Sequence, residues 1–537
     1  MNTSLPGYLG LIVLSGVALA GLARPLTGAW WQGRWFFALL LGLTVVAAHA
    51  PVLGFAQALP NPDEAQLLAG ALTLREHFAP WLSVDLSTAG PLSVLPLLLL
   101  PADFLGARWG AALCSAAALT GCFLALTAAN NNPSARIAAL PVVAFYVFMQ
   151  SIELFQFSTE HVAIVLLAAA GWLWMSATGR GEISPGPFPL FVFGSCLGAA
   201  IMAKLQSSPC AAWLAAVAGV LLLLDARMRW RRRLTLLGVL AAGCLSVPLG
   251  FGLLALAQGV LSDLLNSYGL NNVHYVTTIG FPRTFSYQPA MVWGLNYLLK
   301  PVGAVLLATL VLFPWFSTAE RRAVLVTLGL LASAVLAVTL PGRDSSHYWL
   351  LVLGPVLLAS GVLLQAAARI AEIRAPSLSR PGLFLMGLAL LSLPVAHRFT
   401  SGRDDAIARD LAGVDTVQGA GEKLRTLARP HDRLTVWGWR AELHVHSRLP
   451  QGTREAHTQW LIEPIPQRDY YRQRFLADLA RVQPRFFADA VGPRGFAYTD
   501  RTTAGHETFP ELRDLLARDY ASLGEIEGVR LYIRHDH

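Results

Sequence analysis

From the N-terminus to about Thr400 the chain is a succession of apolar runs with few charges inside them, separated by short polar connections. Runs near 7–23, 35–55, 107–128, 136–152, 160–177, 188–206, 210–225, 234–258, 290–312, 322–340, 347–368 and 382–399 approach the roughly 20 apolar residues that a helix needs to cross a bilayer. About 12 transmembrane helices are therefore predicted. The stretch 91–101 is apolar but too short to span, and reads as a helix lying along the membrane surface. Past Thr400 the long runs stop and shorter periods take over. Leu434–Trp437, Arg485–Val491 and Gly528–Ile533 are strand-like, whereas Gln467–Val482 and Phe509–Tyr520 have helical periodicity. The predicted architecture is mostly α: a polytopic helical membrane domain over 1–400 and a soluble α/β domain over 401–537.

Composition agrees with a membrane protein: of 537 residues, 54% are hydrophobic and 14% charged, and mean hydropathy is +0.50. Charge adds a topology. The tail from 401 onward balances its acids and bases, so the net charge of +8 belongs to the membrane part. With the loop after the second run outside, Arg24, Arg34, Arg136, Arg180, Arg227 to Arg233, Arg321, Arg322, Arg369, Arg374 and Arg380 all fall inside. Few basic residues remain outside, as the positive-inside rule requires. The basic excess is thus a topology signal and not a nucleic-acid footprint. Both termini then lie outside, with the tail extracytoplasmic. The first run lacks preceding basic residues and a clear small-residue cleavage site, and reads as a retained helix. Cys114, Cys122, Cys196, Cys210 and Cys244 all sit in or beside membrane helices, which implies no disulfide framework.

The polar residues at outer helix ends are few: Asp63, Glu64, Asp85, Glu153, Glu160, Lys204, Arg343, Asp344 and His347. Moving a sugar from a phosphate carrier needs a base for the acceptor hydroxyl and cations for the departing phosphate, and this set holds both types. The first outer loop carries Asn61-Pro62-Asp63-Glu64 and then Asp85, Gly90 and Pro91. A later loop reads Gln156-Phe157-Ser158-Thr159-Glu160-His161, a helix ends at Met202-Ala203-Lys204, and Arg343 to Trp349 opens a helix containing Pro355. These segments resemble the GT-C superfamily of polyprenyl-phosphate-sugar-dependent membrane glycosyltransferases, of the protein O-mannosyltransferase and aminoarabinose lipid A transferase type (glycosyltransferase families 39 and 83).

That resemblance implies Asp63 as catalytic base, with Glu64 beside it and Glu160 as a second family acid. It implies Lys204 and Arg343 on phosphate oxygens, with Asp85, His347 and Tyr348 as further substrate contacts. Each has a plainer reading. Asp63 and Glu64 suit a helix N-cap, Glu160 suits the dipole of the helix it opens, Lys204 suits a snorkelling interface residue, and Tyr348 and Trp349 suit interfacial aromatics. The resemblance also admits a divalent metal ion, with His77, His274 or His347 joining Asp63, Glu64 or Glu160, although no metal-ligand spacing is present. In the tail, His444 and His446 would share one face of a strand, and Trp437, Trp439, Tyr470 and Tyr471 suit either acceptor contacts or core.

Neither a phosphate-binding loop of the Gly-x-x-x-x-Gly-Lys type nor a dinucleotide glycine fingerprint occurs. Energy then comes with the substrate or from a gradient. Two classes remain: a transferase on the outer face of a bacterial-type inner membrane, acting on a lipid, glycan or protein acceptor, or a transporter or flippase of lipid-linked sugars. A glycan ligase or polymerase would share the first layout. The tail is expected to roof the site or recruit the acceptor.

Overall fold

The structure is a computed structural model that describes residues 5–23, 33–58, 60–128, 133–148, 152–178, 186–277, 310–341, 345–377, 381–385 and 416–535, with isolated positions at 303, 306, 307 and 387. Among the described residues, seven helices are long and apolar enough to cross a bilayer: Leu5–Leu22, Phe104–Leu126, Glu160–Ala177, Leu205–Leu224, Trp230–Ala257, Thr318–Thr339 and Ser346–Arg374. Arg34–Ala48, Pro133–Phe148 and Pro187–Ala203 are shorter apolar helices on further expected spans. The expected spans 290–312 and 382–399 lie almost wholly outside the described residues.

These helices bury one side and expose the other as apolar surface. Leu245, Leu249, Leu253 and Leu256 line one face of Trp230–Ala257 and are each more than half exposed, which suits a helix solvated by lipid. Phe37, Leu41, Phe123, Ile137, Phe145, Val352 and Leu357 form the main core between Arg34–Ala48, Phe104–Leu126, Pro133–Phe148 and Leu350–Arg374. The chain is thus a multi-pass membrane protein.

Between the second and third of these helices the chain folds on the outside of the bundle. Asn61 caps a helix over Pro62–Glu76 by accepting from the backbone N–H of Asp63 (2.9 Å) and Glu64 (3.1 Å), with Pro62 in the first turn. Pro91–Val94 and Leu95–Leu99 are short helical turns, as the brevity of the 91–101 run requires. Leu67, Leu68, Val84, Leu86, Phe104 and Phe157 build a core here that also takes in Ala441, Val445 and Ala456 of the tail.

Gly90 fixes how this loop meets the bundle. Its N–H donates to the Ala203 carbonyl (3.0 Å), and a Cβ at this position would collide with the Met202 carbonyl. Close backbone approach therefore requires glycine. Gly90→Ala is expected to lower stability by about 2–3 kcal/mol, read as a drop in the thermal unfolding midpoint of purified protein.

The tail carries a sheet of order β1-β2-β4-β3, with β1 Leu434–Trp437, β2 Phe486–Asp489, β3 Tyr520–Ile526 and β4 Val529–Arg534. β1 and β2 pair in parallel, so the chain between them must cross over, and it does so through the helix Arg468–Val482. β3 and β4 form a hairpin whose turn puts Glu527 (φ 52°) and Gly528 (φ 80°) in the left-handed region, the twist favoured between strands. Leu434, Val436, Phe486 and Ala488 pack on one face, and Trp437, Phe487 and Phe475 on the other. The expected strand-like and helical stretches fall on β1, β2, β4, Arg468–Val482 and Pro510–Asp519. One expectation is overturned. His444 and His446 lie on the helix Glu442–Ser447, where residues two apart point to different sides. His444 bonds the Leu449 carbonyl (3.0 Å) and His446 packs against Phe104.

Candidate active site

A cavity of about 420 Å³ opens where the first loop, the bundle and the tail meet. Asp63, Gln66, Ser87 and Thr88 line it from the loop, Glu153, Gln156, Ser158, Lys204, His347 and Tyr348 from the bundle, and Trp439, His457, Gln459, Trp460 and Phe496 from the tail.

The Asn61 cap sets the roles of the two adjacent acids. Successive residues of a helical first turn point about 100° apart, so the pair is divided between two surroundings. Asp63 faces the cavity and is exposed to it. The protein packed around the carboxyl displaces part of its hydration, and this desolvation raises its pKa above the ordinary carboxylate value. His347 and Lys204 oppose the rise, while Glu153 and Glu160 add to it. Glu64 turns inward, is fully buried, accepts from the Phe157 N–H (2.9 Å) and pairs with Arg108 (3.3 Å). Arg108 in turn donates to the Val52 carbonyl (3.2 Å). Glu64 thus ties the loop to the bundle and does not line the cavity, which corrects its assignment beside the base.

Glu160 also lies behind the cavity wall, fully buried. It pairs with Lys204 Nζ (3.3 Å) and lies 4.0 Å from His347 Nε2. Lys204 is placed by the close approach of the loop, whose Ala89 bridges to it, and its Nζ sits 5.5 Å from the centre of the Tyr348 ring. His347 Nδ1 is 3.8 Å from Glu153, which also accepts from the Ser346 N–H (2.7 Å). The Tyr348 hydroxyl meets that of Tyr275 (2.9 Å). Lys204, Glu160, His347 and Glu153 thereby form one chain of basic and acidic side chains in alternation beside Asp63. Tyr348 belongs to the cavity, whereas Trp349 is buried in the bundle core. Arg343 and Asp344 lie outside the described residues.

Asp85 is not at the cavity. It is buried and pairs with Arg474 of the tail (2.6 Å), a guanidinium that also meets Glu455 (2.5 Å) and Asp263 (2.9 Å). Arg454 joins Asp478 (2.8 Å) and Asp263 (3.2 Å) and donates to the Trp81 carbonyl (2.9 Å). Asp85 therefore clamps loop to tail, which corrects its assignment as a substrate contact. Arg474→Met would strand the buried carboxylates of Asp85 and Glu455, Asp263 keeping Arg454, and a stability loss of about 3–5 kcal/mol is expected, seen as early thermal unfolding and faster proteolytic release of the tail.

Among the described residues, Asp489, His506 and Glu507 are close enough together to suit a metal ion. Arg530 already pairs with both carboxylates of the group, Asp489 and Glu507. The group lies in the tail, away from Asp63 and His347.

Cys122, Tyr146, Leu167, Leu214, Leu350 and Pro355 line a narrow apolar crevice in the bundle, and Leu350 follows Tyr348 of the cavity by two residues.

The whole architecture has a solved counterpart. ArnT of Cupriavidus metallidurans, in a crystal structure bound to undecaprenyl phosphate, matches 93% of this chain and 97% of its own with a TM-score of 0.53 at 12% identity. The chain has the ArnT fold. That is the GT-C fold expected from the loop motifs. ArnT without ligand (TM-score 0.46, 12% identity, 91% of this chain and 97% of that one) and the Archaeoglobus fulgidus oligosaccharyltransferase (0.47, 13%, 94% and 75%) also match. No protein-family model matches the chain, and no curated protein matches it in sequence.

Proposed function

We propose that the protein is a glycosyltransferase that moves a sugar from a polyprenyl-phosphate donor to a hydroxyl group of an acceptor, on the outer face of a bacterial inner membrane. The observation that carries this reading is the meeting, in one cavity, of a desolvated carboxylate at Asp63 and a cation at Lys204, on the fold of a protein solved with undecaprenyl phosphate. The lipid chain is proposed to lie between membrane helices.

In this mechanism Asp63 takes the proton of the acceptor hydroxyl as its oxygen bonds to the anomeric carbon. The bond from that carbon to the phosphate oxygen breaks, and its electron pair leaves with the phosphate. Lys204, with Arg343 as its proposed partner, neutralises that growing charge. Attack opposite the leaving phosphate inverts the anomeric centre. Glu160 holds Lys204 in place, and Glu153 holds His347 at the rim. The 401–537 region is proposed as an extracytoplasmic domain that closes the cavity from outside.

Purified protein given labelled polyprenyl-phosphate sugar and extracted envelope glycans or lipids tests the proposal. Label moving to an acceptor supports it. Label that crosses reconstituted vesicles unchanged, with none transferred, would establish a transporter instead.

A further inference from the structure

We propose that the tail-side wall of the cavity is a saccharide subsite, and that the acceptor is a glycan or glycolipid presenting a neutral sugar ring to it. The inference rests on the transferase reading above and names its acceptor class. Trp439, His457, Gln459, Trp460 and Phe496 are the tail residues described on the cavity, and the set is aromatic and amide in character. Trp439 and His457 stack at 4.6 Å with planes 15° apart, and Phe496 stands nearly edge-on to Trp439 at 5.5 Å. Together they make an aromatic corner. Burial lowers the pKa of His457 to about 4, so this ring is uncharged at neutral pH.

Phe496 is 55% exposed at the cavity, so its ring face is open to a ligand. Trp439 is half-buried, and its ring borders the cavity beside Phe496. Asn61, Gln66, Ser87 and Thr88 add neutral amides and hydroxyls around the same space. A pyranose suits this pairing, because the C–H face of its ring packs on aromatic carbon while its hydroxyls exchange hydrogen bonds with amides. An anionic acceptor group would call for cations on this wall, and the described tail residues there supply none. The cation, Lys204, comes from the bundle instead. The two walls thus divide the substrates, phosphate carrier toward Lys204 and sugar acceptor toward Trp439 and Phe496.

Saturation-transfer NMR on the full-length protein in detergent provides a test independent of turnover. The probes are methyl glycosides of neutral hexoses and pentoses, with glycerol phosphate and a blocked dipeptide alongside. Saturation should reach the ring C–H protons of at least one glycoside, and its affinity should fall about three- to tenfold in Phe496→Ala and Trp439→Ala and return in Phe496→Tyr. In the transfer assay the same alanine variants should raise the acceptor KM and leave the donor KM alone. No saturation of any glycoside, preferential saturation of the dipeptide or phosphate probe, or a rise in the donor KM instead, each overturns the assignment. Glycoside binding that depends on Phe496 in a protein that transfers no sugar would uphold the subsite and remove the transferase reading.

Discussion

Asp63→Asn is expected to cut sugar transfer by about 10²–10⁴-fold, the usual worth of a positioned general base, while leaving the fold intact. The two halves of this expectation have one cause. Desolvation raises the Asp63 pKa, so a carboxylate here is a better base than in water, and the folded protein holds its ionised form at a cost. A carboxyl with a raised folded-state pKa destabilises the fold at pH values above that pKa and ceases to do so as pH falls through it. At neutral pH the Asn variant should therefore unfold at an equal or slightly higher temperature than wild type, the shift being small because the group is open to the cavity. Transfer by wild type should fall as pH is lowered through the elevated Asp63 pKa, so its acid limb lies above the ordinary carboxylate range. The residual rate of the Asn variant should lack that limb. A pH–rate profile with thermal unfolding of both proteins checks all three, and an Asn variant with near-normal transfer would remove Asp63 as the base.

Lys204→Met should also abolish transfer, but with a different signature. Lys204 Nζ pairs with Glu160, whose side chain is wholly buried, and removing the cation leaves that carboxylate with the Thr159 hydroxyl and the more distant His347 ring beside it. A destabilisation of about 3 kcal/mol is expected, the lower end for breaking a buried pair because Lys204 itself is slightly exposed. The double variant Lys204→Met with Glu160→Gln removes both charges and should regain most of the lost stability without regaining transfer. Recovery of transfer in the double variant would show that Lys204 serves only to hold Glu160. Thermal unfolding and transfer rates on the three proteins separate the cases.

How much of this was legible in the sequence depends on the range of the interaction. Helices that bury or expose apolar residues over some 20 positions announce themselves in composition, and the seven long helices fall on expected spans. The Asn61-Pro62-Asp63-Glu64 start of a helix was legible because capping is local. That Asp63 and Glu64 part ways was not, since the partner of Glu64 is Arg108, 44 residues on. Asp85 is more extreme: it meets Arg474 across 389 residues, so its motif-like setting could not reveal a structural tie to the tail.

Local conformation misled in other places. Trp437 and Trp439 look alike in sequence, yet β1 ends at Trp437, which packs in the core. Gly438, with φ 98°, then redirects the chain so that Trp439 reaches the cavity. β3 is not legible in the sequence because Tyr520–Ile526 alternates weakly and carries an irregularity between Ser522 and Gly524. Phe496 gave no signal at all, being a single aromatic in a loop whose role depends on three distant segments closing over it.

The most direct test of the central claim is a structure of the protein with a polyprenyl phosphate bound in lipid nanodiscs. The phosphate is predicted to lie in the cavity within hydrogen-bond reach of Lys204 Nζ, with its chain running between membrane helices and Asp63 facing the phosphate across open space. Phosphate density bound elsewhere on the protein, with Lys204 still held by Glu160 and the cavity unchanged, would contradict it.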